Sequence, residues 1–220
     1  MSFDVSVVLA ALPAILSGLK VTLGIWLAAA AMGVVLGFVV AALRHFGPAP
    51  LGLALRLVVE VLRGTPFLVQ IFLLYFGGPY VGLSLDPVPA GLLGLTVYAA
   101  AYFSEIFRAG FAAVPRGHVE AAHCVGLTRA QIVRRILVPE MTMLVLPQCV
   151  NMAVILVKET AVLSVIAVPE ATGVISAIGS QQYAFLEALF LLAVIYWGLV
   201  EACGWAGRMI ERRLSKFRFA

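Results

Sequence analysis

The sequence predicts an all-α integral membrane bundle of about five transmembrane helices, with an interfacial helix at the N-terminus and one ordered helical loop outside the membrane. Three observations predict it. First, 63% of the 220 residues are hydrophobic and only 12% are charged, against about half and about a quarter in a soluble domain. One globular core cannot hide that surplus, so the solvent must be a bilayer. Second, five apolar runs approach or exceed the ~20 residues that cross a hydrocarbon core. Third, the basic residues gather at the ends of those runs, where cytoplasmic loops carry them. The net charge of +4 is therefore not the footprint of a nucleic-acid partner.

Val5 to Leu16 is too short to cross beside the next run, and is expected to lie at the interface. No basic n-region precedes it, so it is expected to be retained rather than cleaved as a signal. The first span is Leu19 to Leu43. Within it Ala29, Gly33, Gly37 and Ala41 recur every four residues, a spacing that allows close helix contact in lipid. Either packing inside the subunit or a seam between two subunits would use it.

Leu51 to Leu62 has Arg56, Glu60 and, just beyond, Arg63 on one helix face among Leu and Val. It is read as an amphipathic helix on the cytoplasmic surface. The rival is one bent span that takes Arg63 into the membrane, where an unpaired arginine is costly. Thr65 is expected to cap the next helix, with Pro66 in its first turn. The second and third spans are Phe67 to Leu85 and Pro89 to Ala112.

After Pro115 and Gly117, His118 to Val125 has the length of one short helix, and Gly126 is a natural stop. Thr128 and Gln131 have capping-box spacing, so a second helix begins there. This helix–turn–helix holds more structure than a connection needs. Pro139 to Val157 and Ala184 to Ala206 are the last two spans. Between them Ala161 to Val168 is too short to cross and is expected to be re-entrant or buried. No linker or tandem repeat divides residues 1–220, so one membrane domain is expected.

Arg44 follows the first span. Arg108, Arg116, Arg129, Arg134 and Arg135 lie between the third and fourth, and Arg208, Arg212, Arg213, Lys216 and Arg218 follow the last. With five spans these share one side, and Asp4, Asp86 and Glu187 fall on the other. The N-terminus is expected outside and the C-terminus inside.

Glu120-Ala121-Ala122, then Gly126, Ile136 and Pro139, resemble the EAA loop of ABC importer permeases. The resemblance implies that residues 114–138 form a coupling loop seated in a groove of an ATP-binding subunit. Glu120 would make the polar contact, Ala121 and Ala122 a flat face, and Gly126 with Leu127 the turn. Val138 stands where the family often has Leu. Val59-Glu-Val-Leu-Arg-Gly-Thr-Pro-Phe-Leu-Val-Gln, Ala101-Tyr-Phe-Ser-Glu-Ile-Phe-Arg-Ala-Gly and Lys158-Glu-Thr-Ala-Val-Leu-Ser-Val-Ile also resemble the polar amino-acid branch of that family (histidine, glutamate, glutamine, arginine, opine). The match runs from about Gly18 to the C-terminus. It implies a bacterial inner-membrane permease that pairs with a second copy or a paralogue. Two ATP-binding subunits and an extracytoplasmic solute-binding protein would complete the importer, and its cargo would be a polar or charged amino acid or a related zwitterion.

The chain lacks the phosphate-binding loop G-x-x-x-x-G-K-[ST]. Its lysines, Lys20, Lys158 and Lys216, neither follow Gly nor precede Ser or Thr. ATP and Mg are therefore expected on a partner, with no cofactor held by this chain. Cys124, Cys149 and Cys203, and His45, His118 and His123, are too scattered for a metal site or a catalytic pair. A motor-independent channel or a membrane enzyme would need polar residues along one face of a span, or clustered acids at one depth.

For the pathway, ionisable residues within spans are the default candidates. Glu159 is the expected contact for a substrate amino group, with Thr160 assisting. Lys158 beside Glu159 offers a local charge balance instead. Glu105 is a second candidate, or else the partner of Arg108 in an internal pair. Gln70, Asn151 and Thr65 are further polar candidates, with an interhelical hydrogen bond as the other use for Asn151. The sequence departs from its relatives at Val150-Asn151-Met152, where Gly-Asn-Gln or Gly-Asn-Glu is common.

Overall fold

The structure, a computed structural model, describes residues 5–215, and these fold as helices and turns without a strand. Asp4, Lys216 and Arg218, used above to orient the chain, lie outside the described residues. Helix α1 (Val5–Ala10) is short, and α2 runs unbroken from Leu12 to Phe46. The expected boundary between an interfacial helix and a first span is therefore misplaced. Pro13 sits in the first turn of α2, where no backbone donor is missed, so it starts the helix rather than interrupting it. At 1.5 Å per residue α2 is about 52 Å long, well beyond the hydrocarbon core.

Helix α3 (Ala49–Gly64) and α4 (Phe67–Phe72) meet at a bend of 106°. Pro66 causes it. Its ring removes a donor and holds Thr65 extended at φ −113°, ψ 143°. The freed carbonyls at the end of α3 are recovered locally, because the Gln70 amide donates to Leu62 O at 2.5 Å and to Thr65 O at 3.1 Å. Thr65 does not cap α4 as expected. Its hydroxyl donates back to Val61 O at 2.9 Å, and Pro66 holds the N-cap position. After α4 the chain passes through a π-turn (Leu73–Gly77) and a 3₁₀ turn (Gly78–Val81), and stops at Gly82, whose φ is +83°. The second span thus ends before Leu85. Four helical runs are long and apolar enough to cross alone, and α3 with Phe67–Val81 passes the same test only as a bent pair, whose length and composition fit a broken span or a re-entrant loop.

Helix α5 (Pro87–Ala113) is the central element, buried along much of its length by α2, α4 and α8 (Val138–Glu159). The four-residue repeat of α2 faces it. A Cβ on Gly33 would lie 2.5 Å from Ala99 Cβ, and one on Gly37 would lie 2.6 Å from Phe103 Cβ and 2.9 Å from Ser104 N. Ala29 and Ala41 are fully buried in the same seam. Of the two uses left open for this repeat, it serves packing inside the subunit. Trp26 ties α2 to α8 by donating to Ala153 O at 2.9 Å.

Beyond α8, Thr160–Ile166 is a 3₁₀ helix, followed by α9 (Ala171–Gln181) and α10 (Phe185–Ser215). The stretch expected to be re-entrant is buried, with Leu163, Ile166 and Val168 in the core. Helix α9 was not anticipated. Its N-terminal donors are met inside the fold. Glu170, fully buried, accepts from Thr172 N, Gly173 N and the Tyr196 hydroxyl, while Thr22 Oγ1 accepts from Ala171 N at 3.0 Å. Ala171 and Ile175 then close on Ala11, Ile15 and Ala188, which is why the start of α2 packs inward.

Gly37→Ala should destabilise the subunit by about 1–3 kcal/mol through overpacking. Gly24→Ala, on the same helix with no atom near its Cβ, should be neutral or slightly stabilising. Thermal unfolding of the two variants in detergent reads the difference, and equal midpoints would refute the close seam.

Candidate functional site

The loop between α5 and α8 is an ordered hairpin of α6 (Arg116–Cys124) and α7 (Arg129–Ile132). Gly126, at φ +80°, makes the turn, a conformation that L side chains rarely adopt. The capping box is present in both directions. Thr128 Oγ1 accepts from Gln131 N, and Gln131 Oε1 accepts from Thr128 N at 2.8 Å. His118 Nδ1 sits 2.8 Å from Glu140 Oε1, which ties α6 to the first turn of α8. Glu120 and Ala121 are exposed, and Ala122 is buried. Successive residues on a helix point about 100° apart, so the two alanines cannot share one outward face, and Ala122 packs inward. Leu127 is half-buried, and Pro139 is exposed at the start of α8. The sequence reading overlooked Val125. It is 76% exposed at the hairpin tip.

Glu105, on α5, holds a different place from the one expected of a pathway residue. Its carboxylate accepts from Arg44 of α2 at 2.6 Å and from Arg108 at 2.8 and 3.0 Å, and Arg63 of α3 approaches to 3.6 Å. The pairing with Arg108 was foreseeable at i, i+3. Arg44 and Arg63 are distant in sequence and were not linked to it. A carboxylate so occupied is a clamp between three helices. Two cavities flank it. One, of about 420 Å³, is lined by Arg44, Arg56, Glu60, Arg63 and Arg108. The other, of about 490 Å³, opens between α5 and α8 along Tyr102, Leu144 and Gln148.

The remaining candidates do not converge. Gln70 and Thr65 are engaged at the α3–α4 bend. Thr160 is fully buried and donates to Val157 O at 2.7 Å, so its hydroxyl serves its own helix end. Asn151 is exposed on α8 rather than bonded between helices of this subunit. Glu159, half-buried at the end of α8, lines neither cavity beside Glu105.

Residues 33–216 match the family model described as a binding-protein-dependent transport system inner membrane component. The chain belongs to that family. It is a transport subunit of the membrane and not an enzyme. The probable amino-acid ABC transporter permease protein PatM of Vibrio harveyi is 33% identical over 219 residues, 98% of each chain. The arginine transport system permease protein ArtQ of Bacillus subtilis is 33% identical over 216 residues, covering 98% of this chain and 99% of that one. Among solved structures, an amino acid ABC transporter crystallised with histidines superposes with a TM-score of 0.90 at 32% identity, covering 97% of this chain and all of that one. The permease reading is thereby favoured over a motor-independent channel or a membrane enzyme.

Glu105→Gln should cost about 3–5 kcal/mol, because Arg44, whose side chain is 8% exposed, would keep its charge without an anion. Thermal unfolding of the solubilised chain tests it, and an unchanged midpoint would remove Glu105 from the clamp.

Proposed function

We propose that this chain is the permease of an ATP-driven importer of polar or charged amino acids or related zwitterions. A second permease copy or a paralogue would complete the pathway, two ATP-binding subunits would dock, one on this chain's α6–α7 hairpin and one on that of its partner, and an extracytoplasmic binding protein would deliver the cargo. The observation that carries this reading is the hairpin itself. It is stiffened by a two-way cap and a His118–Glu140 tie, it presents Glu120, Ala121 and Val125 outward, and it belongs to a chain with no phosphate loop of its own. The amino-acid relatives, matched over nearly their whole length, support the cargo class.

The hairpin faces the cytoplasm in this reading, with the N-terminus outside and the C-terminus inside. Arg116, Arg129, Arg134 and Arg135 place positive charge there, as cytoplasmic loops do. The contact set is Glu120, Ala121 and Val125, with Gly126 and Leu127 shaping the turn, Ala122 supporting it from within and Pro139 exposed where α8 begins. ATP and Mg reside on the partner.

Glu159 is the proposed contact for the substrate amino group. It is acidic, half-buried, and stands at the junction of α8 with the 3₁₀ helix, where regular backbone gives way. Glu159 lines neither cavity beside Glu105, so the pathway it would serve is one formed together with the second permease.

Two outcomes are expected. Glu120→Lys combined with Val125→Asp should lower co-purification of the ATPase subunit at least tenfold while leaving the chain in the membrane. Association at the wild-type level would sink the docking assignment. Glu159→Ala should reduce amino-acid uptake into proteoliposomes at least tenfold with the complex still assembled, whereas uptake at the wild-type rate would take Glu159 out of the site.

A further inference from the structure

The cavity of about 420 Å³ beside Glu105 has more positive charge than the ion pairs around it consume. Arg44, Arg56, Arg63 and Arg108 line it, against Glu60 and Glu105. Glu105 is taken by Arg44 and Arg108, and Glu60 accepts from Arg56 at 2.7 Å. Arg63 reaches Glu105 only at 3.6 Å, beyond hydrogen-bonding distance, and its guanidinium lies over the Tyr102 ring at 5.3 Å. Each guanidinium carries five N–H donors, so most of the donors directed at this space have no acceptor on the protein. Planar forks of this kind match phosphate oxygens in paired hydrogen bonds.

The walls say where such an oxygen would come from. One is the last turn of α2, and another is α3. On α3, Leu53, Leu57 and Val61 follow at four-residue intervals and are more than half exposed, while Arg56, Glu60 and Arg63 occupy the adjoining face. A helix built so lies in the membrane interface with its apolar side among acyl chains and its charged side among headgroups. With α3 in that position the cavity would open at headgroup depth, and basic pockets between membrane helices on the cytoplasmic side receive acidic lipid headgroups.

We propose that this cavity is a binding site for a phosphate-bearing anion, held by Arg56 and Arg63 with Arg44 and Arg108 behind them. An acidic phospholipid of the surrounding leaflet and a soluble phosphate are the two sources of that chemistry, and the interfacial position of α3 favours the lipid. The bound phosphate braces the α3–α4 bend through Arg63, one residue before Gly64 at its corner. The cytoplasmic placement rests on the orientation proposed above. The charge and the fit do not.

The test uses the complex with its ATPase subunit, purified from bilayers of mixed phosphatidylglycerol and phosphatidylcholine and analysed by native mass spectrometry. Retained phosphatidylglycerol should fall several-fold in Arg56→Gln and rise in Glu60→Gln, with phosphatidylcholine unchanged. Both residues are exposed at the rim, so neither variant threatens folding. In a second arm, inorganic phosphate is titrated into the detergent-solubilised complex. Phosphate binding that weakens in Arg56→Gln supports the site with a soluble source. If neither phosphatidylglycerol nor phosphate responds to either substitution, the proposal is overturned. The lipid readout does not depend on which leaflet holds the cavity, and protease access to the α6–α7 loop in inverted vesicles reads the orientation separately.

Discussion

One carboxylate gathers one end of this subunit. Glu105 projects from the most buried helix and meets guanidinium groups from the end of α2, from the last turn of α3 and from α5 itself. Without an anion there, three positive charges would stand together at the edge of a low-dielectric region, where like charges repel strongly. With it, α3 can lie across the ends of α2 and α5 although only Val59 of α3 is buried. The shape of the bent pair therefore depends on electrostatics where apolar packing is thin, and the close Gly–Ala seam between α2 and α5 aligns the elements that the charges join.

Lipid imposes a second condition. Every backbone donor and acceptor must find a partner within the protein. The two places where helices break show how this is met. At Pro66 the Gln70 amide reaches the carbonyls that the bend frees. At α9 the Glu170 carboxylate and the Thr22 hydroxyl receive the donors of its first turn. Both breaks are irregular in outline, and at α9 these side-chain acceptors meet the donors of the first turn, which allows a short buried helix to sit among spans.

These two breaks also mark how far the sequence could be read. The apolar runs were legible because crossing a bilayer imposes a length, and the hairpin was legible because a capping box is chemistry among neighbours. Thr128 and Gln131 are three residues apart and behave as that spacing dictates. Helix α9 was not legible. Ala171–Gln181 is too short to cross, and what holds it is Thr22, 149 residues away, together with Ala11 and Ile15. Likewise Arg108 could be assigned to Glu105 by helix spacing, whereas Arg44 joins it across 61 residues. Gln70 is instructive in a different way. A polar residue in an apolar run invites a transport role, but its partners are the backbone carbonyls eight and five positions before it.

The run from Arg129 to Ile166 is a single helical stretch of 38 residues. It begins with the second helix of the docking hairpin and passes through Glu159, so the proposed substrate contact lies on the same helical run, about 57 Å long, that leads out of the hairpin. A uniform rod would carry every push at one end rigidly to the other. This rod has two compliant points, the π-turn at Val133–Leu137 and Pro147, where an interior proline forgoes a backbone hydrogen bond. In the proposed reading, torque entering at the hairpin would be taken up first at those joints. The stroke such a run could deliver would then depend on the stiffness of two short stretches of backbone as well as on its length.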